Sequence, residues 1–196
     1  MEPIILASSS MGRQSILKFM KIPFVVDPAQ IDETIPDGMK IEDVPEYLAV
    51  RKVNAAVEKI APQHKIPWIL AADTAVLLNG KVLGKPQSLQ EAKSYLTQIQ
   101  GTTHQVVTGV ALFSGEKFTM DSRTSVNHVT FAPMDDEEIE TYLETSEWHG
   151  AAGGYRIQGM ASWYITRIEG TESSVVGLPI RELYDMLRRQ GYKFTV

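Results

Sequence analysis

Asp73 is the residue whose sequence context most strongly indicates chemistry. It ends an apolar run, Trp68 to Ala72, that has the length and composition of a buried strand in an α/β sheet. Ligands bind beyond the carboxyl ends of such strands. Because burying an isolated charge is costly, a carboxylate there must be paired, bind a metal or face a cleft. The alternative is an aspartate that only begins a turn or caps the next element.

Lys85 is expected to lie near Asp73 through a β-hairpin. Asn79-Gly80 is a strong turn signal, and it separates two apolar runs, Val76–Leu78 and Val82–Leu83. The hairpin would return the chain, and Lys85 with it, to the neighbourhood of the carboxylate. A carboxylate and a lysine in one cleft suit an anionic substrate that is held through a metal ion.

Lys52 and Arg13 are cations at positions where the local sequence pattern disfavours a positive charge. Lys52 lies four residues from both Leu48 and Ala56, so it shares an apolar helix face. A snorkelling lysine at the edge of that face is the alternative. Arg13 lies in the first turn of its predicted helix, where the helix dipole disfavours a cation. An anion bound at the helix N-terminus, beside Ser8–Ser10, explains it better than a surface position does.

The remaining candidate ligands are oxygen atoms. Asp32-Glu33 lies in a polar loop, where two solvated acids are the alternative. The chain has no cysteine and its four histidines are scattered, which argues against thiol chemistry and against zinc. The P-loop, dinucleotide-binding and serine-hydrolase motifs are absent from the sequence. Glu33 and Asp73, with the three cations, therefore favour Mg²⁺ or Mn²⁺ and a phosphate-bearing substrate.

The composition is typical of a globular enzyme. The 196 residues suit one domain, 1–196, with two lobes whose boundary the sequence does not reveal. No apolar run approaches the roughly 20 residues of a membrane span, and Met1–Pro3 lacks the basic start of a signal peptide. The lack of cysteine fits a reducing cytoplasm. The net charge of −5 argues against nucleic-acid binding.

The elements that must position these residues alternate between strands and helices, as in an α/β fold. Besides the hairpin, the pattern predicts strands at Ile4–Ala7, Trp68–Ala72, Val106–Phe113, Thr124–Phe131 and Ala161–Ile168. It predicts helices after Ser10, from about Glu42 to Ile60, from Ser88 to Gly101, from Asp135 and from Pro179.

Eight short motifs, each weak alone, occur in an order and spacing that is very specific. They are Leu6–Ser10, Asp32-Glu33, Lys52, Ala72–Thr74, Gly84–Pro86, Gly101–Gly109, Gly153–Gly159 and Val176–Pro179. From Ile4 to about Leu187 the chain resembles the Maf-like nucleoside triphosphate pyrophosphatases, a family once associated with septum formation. The resemblance implies a mixed twisted sheet with flanking helices, and two lobes around a cleft as in the inosine triphosphate pyrophosphatases. It also implies a homodimer that hydrolyses the bond between the α and β phosphates and releases pyrophosphate.

The resemblance also distributes roles among the candidates. It makes Asp73 the proton acceptor, a role that the residues alone do not separate from metal binding. Glu33, with Asp73, is expected to hold Mg²⁺ or Mn²⁺. Thr74 and the motif ending at Gln158 resemble the branch that prefers dTTP and UTP, and the amide of Gln158 suits the imide edge of a pyrimidine. The residues expected to bind the triphosphate are Ser8, Ser9, Ser10, Arg13, Lys52 and Lys85.

Two positions depart from the family's pattern. Gly12 stands where an arginine linked to substrate choice is usual, and Ala151 stands where a lysine is usual. The site therefore lacks two positive charges. This loss motivates a rival hypothesis, a nucleotide-binding regulator of cell division with weak or no hydrolysis. A metal-dependent phosphatase that releases single phosphates is a second rival.

Overall fold

The computed structural model describes residues 1–60 and 68–194. The strands are β1 (Ile4–Leu6), β2 (Phe24–Val26), β3 (Trp68–Leu78), β4 (Lys81–Leu83), β5 (Thr103–Ser114), β6 (Thr119–Phe131) and β7 (Ile165–Glu169). The helices are α1 (Met11–Phe19), α2 (Val44–Ile60), α3 (Leu89–Ile99), α4 (Asp136–Glu144), α5 (Glu172–Val176) and α6 (Ile180–Gln190). Short 3₁₀ helices cover Ile41–Asp43, Ala152–Gly154 and Met160–Trp163.

The strands form a mixed sheet in the order β2-β1-β3-β5-β6-β7, and β4 also pairs with β3. β1 is parallel to both neighbours, with Ile4 opposite Phe24 and Trp68. The pairs β3–β4 and β6–β7 are antiparallel. The predicted α/β class with a mixed sheet and flanking helices is confirmed. Among the described residues, no helix combines the length and the apolar composition that crossing a bilayer requires.

The chain divides into two compact units. Unit 1 comprises Met1–Asp73, Thr108–Ser125 and Gly177–Val196, and unit 2 comprises Thr74–Val107 and Val126–Val176. The chain therefore passes from unit 1 to unit 2 within β3, at the bond between Asp73 and Thr74.

Small side chains let α2 pack closely on the strands of unit 1. Its buried residues Ala49, Val53 and Ala56 join a core cluster with residues of β1, β3 and β5. At Gly109 of β5 the approach is closest, because an added Cβ atom would lie 2.2 Å from the backbone nitrogen of Glu46. Only glycine fits there, and this close approach sets the position of the helix that carries Lys52.

The core of unit 2 is rich in aromatic residues. It packs α3 and α4 together, and its bulkiest buried members include Phe131, Tyr142 and Trp148. The hairpin at Asn79-Gly80 is present as predicted, with positive φ at both turn residues and Val76 opposite Leu83. It is also tied to a second loop, since the backbone nitrogen of Gly153 donates to the carbonyl oxygen of Gly84 at 2.9 Å.

The capping residues and the proline in the sequence correctly predicted where these helices begin. Ser88 caps α3 by accepting from the Glu91 nitrogen at 3.2 Å, and Asp135 forms a complete capping box with Glu138. The last helix starts just after Pro179, as the sequence indicates.

Several predictions of strands were wrong. β3 does not end at Asp73 but continues to Leu78, because the polar pair Asp73-Thr74 interrupts the burial of the strand and not its backbone. Residues 160–163 form a 3₁₀ helix, so the strand predicted over Ala161–Ile168 begins only at Ile165. The short elements β2 and α5 were not predicted, and β6 begins at Thr119, earlier than expected.

Candidate active site

Lys52 joins two carboxylates in unit 1. Its Nζ atom lies 2.5 Å from Oδ1 of Asp73 and 3.0 Å from Oε1 of Glu33. These two oxygens are therefore no further apart than the sum of the two distances, 5.5 Å. The side chains of Lys52 and Asp73 are 13% and 20% exposed, whereas that of Glu33 is 59% exposed. The cluster is thus sheltered on the side of Lys52 and open on the side of Glu33.

Local structure explains how each member reaches the cluster. Lys52 stands on α2 among buried residues, so its chain runs along the apolar face and its ammonium finds charged partners at the end. Asp73 is one of only two partly exposed positions within β3. The fact that Asp73 is paired decides against a simple turn or cap residue, and the pairing compensates the burial of both charges.

Asp32 and Glu33 are adjacent in sequence but make different contacts. Oδ1 of Asp32 accepts hydrogen bonds from the nitrogen and the hydroxyl of Thr34, at 3.0 and 2.6 Å. These bonds lower the pKa of Asp32 below its usual value, first through the Thr34 hydroxyl. They form a local turn of the kind that aspartate favours. Asp32 therefore shapes the loop, and Glu33 is the acid that reaches Lys52.

Arg13 lies at the N-terminus of α1 and is held by backbone and hydroxyl oxygens. Its Nη1 atom donates to Oγ of Ser8 at 2.8 Å, and its Nε atom donates to the carbonyl oxygen of Gly177 at 2.8 Å. The hydroxyl of Ser10 caps α1 by accepting from the Arg13 nitrogen at 3.5 Å. The two contacts of the guanidinium fix its plane beside the helix N-terminus.

Arg13 and the carboxylate cluster also interact electrostatically. Burial lowers the pKa of Arg13 below its usual value, and the charge of Asp73 opposes that shift. The group stays cationic, because a guanidinium does not lose its proton in proteins. Unit 1 thus brings together Arg13, Lys52, Glu33 and Asp73, which are predicted site residues from four separate segments.

The serine turn and Gly12 complete this part of unit 1. Ser8 is buried and Ser9 is exposed, while Gly12 is buried in the first turn of α1. A helix N-terminus of this kind presents backbone N–H groups to an anion. The contact between Arg13 and Gly177 was missed in the sequence, where Val176–Pro179 counted only as one of the motifs carrying the resemblance.

Three predicted residues belong to unit 2. Thr74 is half-buried in β3, and Lys85 and Gln158 are exposed. Lys85 follows Gly84, whose carbonyl oxygen accepts from Gly153, so the hairpin and the loop leading to Gln158 lie side by side. The expected proximity of Lys85 to Asp73 stays a prediction. Ala151, the second departure from the family's pattern, is buried at 7% exposure.

The oxygen atoms of Glu33 and Asp73 suit a small divalent cation. The described residues contain no group of three or more His, Cys, Asp or Glu side chains placed around a metal position. Mg²⁺ does not need one, because proteins usually bind it through one or two carboxylates together with substrate phosphates. Glu33 and Asp73 supply two such carboxylates, and both of them contact Lys52.

Known proteins similar to this chain include one family and several full-length relatives. A profile of the family described as Maf-like protein matches residues 3–190. A protein of Pelotomaculum thermopropionicum named dTTP/UTP pyrophosphatase is 41% identical over 98% of each chain. A protein of the same name from Halalkalibacterium halodurans is 38% identical over 98% of each chain. Another, from Pyrococcus furiosus, is 42% identical over 92% of this chain and 91% of its own.

The solved structure of the Staphylococcus aureus Ham1 protein matches this chain with 18% sequence identity and a TM-score of 0.45. The match covers 67% of this chain and 72% of the Ham1 chain. The chain belongs to the Maf-like protein family.

Proposed function

We propose that this protein is a nucleoside triphosphate pyrophosphatase that converts dTTP and UTP to the nucleoside monophosphate and pyrophosphate. The observation that carries the proposal is the convergence of Arg13, Lys52, Glu33 and Asp73 beside the N-terminus of α1. Relatives that are 36–42% identical over 89–100% of their length bear the name dTTP/UTP pyrophosphatase, which supports this substrate class.

The cations address the central difficulty of the reaction, which is the strong negative charge of the triphosphate. The backbone N–H groups at the start of α1, with Arg13, would bind phosphate oxygens there. Lys52 is placed to stabilise charge that develops on the departing pyrophosphate. Lys85, which the resemblance also assigns to the phosphates, would add a further contact. Because Arg13 is already fixed by Ser8 and Gly177, it needs little reorganisation when the substrate binds.

Asp73 is the residue proposed to accept the proton of the attacking water. It is an acceptor on the interior of a strand, held by Lys52 at 2.5 Å, so its position is well defined. A positioned general base of this kind contributes typically about 10²–10⁴-fold to the rate. The departing proton would go to its free carboxylate oxygen, while Oδ1 keeps the bond to Lys52.

Glu33 and Asp73 are the residues proposed to hold the divalent cation. Mg²⁺ or Mn²⁺ bound there would neutralise phosphate charge and make a bound water more acidic. The exposed position of Glu33 leaves its carboxylate accessible from solvent.

Analysis of the products tests the proposal. The protein would be incubated with dTTP, UTP, CTP and GTP and Mg²⁺ or Mn²⁺, and the release of nucleoside monophosphate, pyrophosphate and orthophosphate would be followed separately. Pyrophosphate in equal amount to the monophosphate is expected. Orthophosphate with a nucleoside diphosphate would favour the phosphatase instead.

A second candidate is a nucleotide-binding regulator that hydrolyses weakly or not at all. Gly12 and Ala151 favour it, because each lacks a cation that the family usually carries. In the same assay, tight nucleotide binding without any product would support this candidate.

The proposal extends to the setting of the enzyme. We propose from its lack of cysteine that it is cytoplasmic, and from the resemblance to its family that it is a homodimer. Its partner would be a nucleotide, without nucleic acid or membrane. Light scattering coupled to gel filtration would measure the oligomeric state.

A further inference from the structure

Residues 155–160 of unit 2 form a segment that we call the Gln158 loop. Tyr155 and Ile157 in this loop are buried, whereas Gln158 is exposed. The loop is irregular and ends where a 3₁₀ helix begins at Met160. An irregular loop that presents one amide needs fixed points on both sides if the donor and acceptor of that amide are to have a defined direction.

The first fixed point is Tyr155. Its hydroxyl lies 2.7 Å from Nε2 of the buried His104, and its ring packs edge-on against His104 and Phe131. Burial lowers the pKa of His104 to about 4, so the imidazole is neutral at pH 7 and the contact is a hydrogen bond between uncharged groups. One residue further on, the nitrogen of Arg156 donates to the hydroxyl of Tyr142 at 3.1 Å.

The second fixed point is Glu147, which contacts the loop on both sides of Gln158. Before Gln158, the backbone oxygen of Glu147 accepts from Nε of Arg156 at 2.9 Å. After Gln158, both carboxylate oxygens of Glu147 lie 3.0–3.1 Å from the nitrogen of Met160. A Cβ atom at Gly159 would lie 2.1 Å from Oε2 of Glu147, so the absence of a side chain at Gly159 makes room for the carboxylate.

This arrangement is unusual for a half-buried glutamate. The carboxylate of Glu147 is directed at a backbone nitrogen rather than at an arginine or lysine, and it also interacts with the hydroxyl of Tyr142. Bonds from a backbone N–H to a charged acceptor are stronger and shorter than neutral ones. The structure thus places a charge-assisted contact two residues after Gln158.

We propose that Glu147 is a positioning residue that sets the orientation of Gln158 and through it the preference for uracil and thymine bases. This inference rests on the proposed function, because it takes Gln158 to face the base of the nucleotide. Glu147 contacts the loop and not the substrate. Its loss should therefore weaken the discrimination between bases more than it weakens the binding of triphosphate as such.

The test measures binding, so it does not depend on turnover. Dissociation constants would be measured for the non-hydrolysable α,β-methylene analogues of UTP and CTP in the presence of Mg²⁺, for the wild type, Glu147→Ala and Glu147→Gln. The matched control is Glu140→Ala, which removes a glutamate of the same unit that pairs with Lys93 at the surface. Thermal unfolding of each variant would confirm that it is folded at the assay temperature.

The quantity of interest is the ratio of the CTP constant to the UTP constant. The wild type should prefer the UTP analogue at least tenfold, and Glu147→Ala should reduce this ratio by about tenfold, which corresponds to about 1.4 kcal/mol. Glu147→Gln keeps one oxygen acceptor for Met160 and should restore most of the ratio, while Glu140→Ala should leave it unchanged. A variant that is merely less stable would bind both analogues more weakly by the same factor and leave the ratio unchanged.

Two results would overturn the inference. One is a wild type that binds both analogues equally, and the other is an unchanged ratio in Glu147→Ala. The hydrolase assignment is tested separately by the product analysis. A protein that releases no pyrophosphate but loses its base preference in Glu147→Ala would refute that assignment and support the positioning role of Glu147.

Discussion

Replacing Asp73 by Asn removes one negative charge from the cluster and keeps the shape of the side chain. The variant can no longer accept a proton from water at neutral pH, and the cation site loses one of its two carboxylates. Loss of a positioned general base lowers the rate typically by about 10²–10⁴-fold. Since each tenfold step is about 1.36 kcal/mol, the transition state would lose about 3–5 kcal/mol of stabilisation.

The stability of the variant should change much less than its activity. Lys52 loses Asp73 at 2.5 Å but keeps Glu33 at 3.0 Å, so its ammonium is not left without a charged partner. A hydrogen bond to a charged group contributes about 1.5–3 kcal/mol. In a protein of this size, each kcal/mol shifts Tm by about 2–4 °C. The variant should therefore remain folded at 25 °C.

A matched control exists in the same unit. Asp27 forms an ion pair with Lys59, in which the side chains are 32% and 60% exposed. The substitution Asp27→Asn removes an aspartate–lysine pair of the same type at the surface, where such pairs contribute about 0–1 kcal/mol. Its activity and Tm should stay close to those of the wild type.

The measurement is kcat/KM for UTP and dTTP by pyrophosphate release, together with Tm for the three proteins. If Asp73→Asn is folded and keeps more than a tenth of the wild-type kcat/KM, Asp73 is not the proton acceptor. If Asp27→Asn loses as much activity as Asp73→Asn, the loss reflects general charge or stability and not the cluster.

Three further predictions concern the cation, the N-terminus of α1 and pH. Activity should disappear in EDTA and return with Mg²⁺ or Mn²⁺, because Glu33 and Asp73 supply oxygen ligands; full activity in a chelated, metal-free sample would contradict this. Gly12→Arg should raise kcat/KM for UTP or dTTP about tenfold through a charge-assisted bond to phosphate, and an unchanged kcat/KM for every nucleotide would show that the lost charge is compensated elsewhere. His104 is neutral when folded, with its pKa lowered from 6.5 to about 4 by burial. The unfolded chain binds a proton at His104 between these two pH values and the folded chain does not, so stability is full above pH 6.5 and falls as the pH drops towards 4, by about 3 kcal/mol in total. Urea unfolding at pH 7 and pH 4 should show this loss in the wild type and a smaller loss in His104→Gln, and equal losses would refute it.

Local signals predicted the elements whose causes are local. The hairpin depends on Asn79-Gly80, which adopts positive φ easily, and α3 depends on Ser88 at its start and Gly101 after its end. β2 gave no such signal, because its three residues owe their strand conformation to pairing with β1. The same reason explains the error at β3. Pairing with neighbouring strands carries the backbone through Asp73, although the side-chain pattern breaks there.

The sequence predicted which residues belong to the candidate site, but it did not predict how they are arranged. Residue types favoured Glu33, Lys52 and Asp73, yet nothing local shows that Lys52 bridges the two acids, since they lie 19 and 21 residues away in the sequence. The contact of Arg13 with the carbonyl oxygen of Gly177 spans 164 positions and involves no side chain of Gly177. Contacts of backbone atoms leave no trace in residue type, so only the folded chain reveals them.

The close approach at Gly109 affects how mutational screens of this protein would have to be interpreted. A survey that scores only surviving activity would rank substitutions of Gly109 beside those of Asp73, since any Cβ there would displace the start of α2 and carry Lys52 with it. The two kinds of defect separate once the amount of folded protein is measured for each variant. At Asp73 the abundance should stay near normal while activity falls, whereas at Gly109 both should fall together.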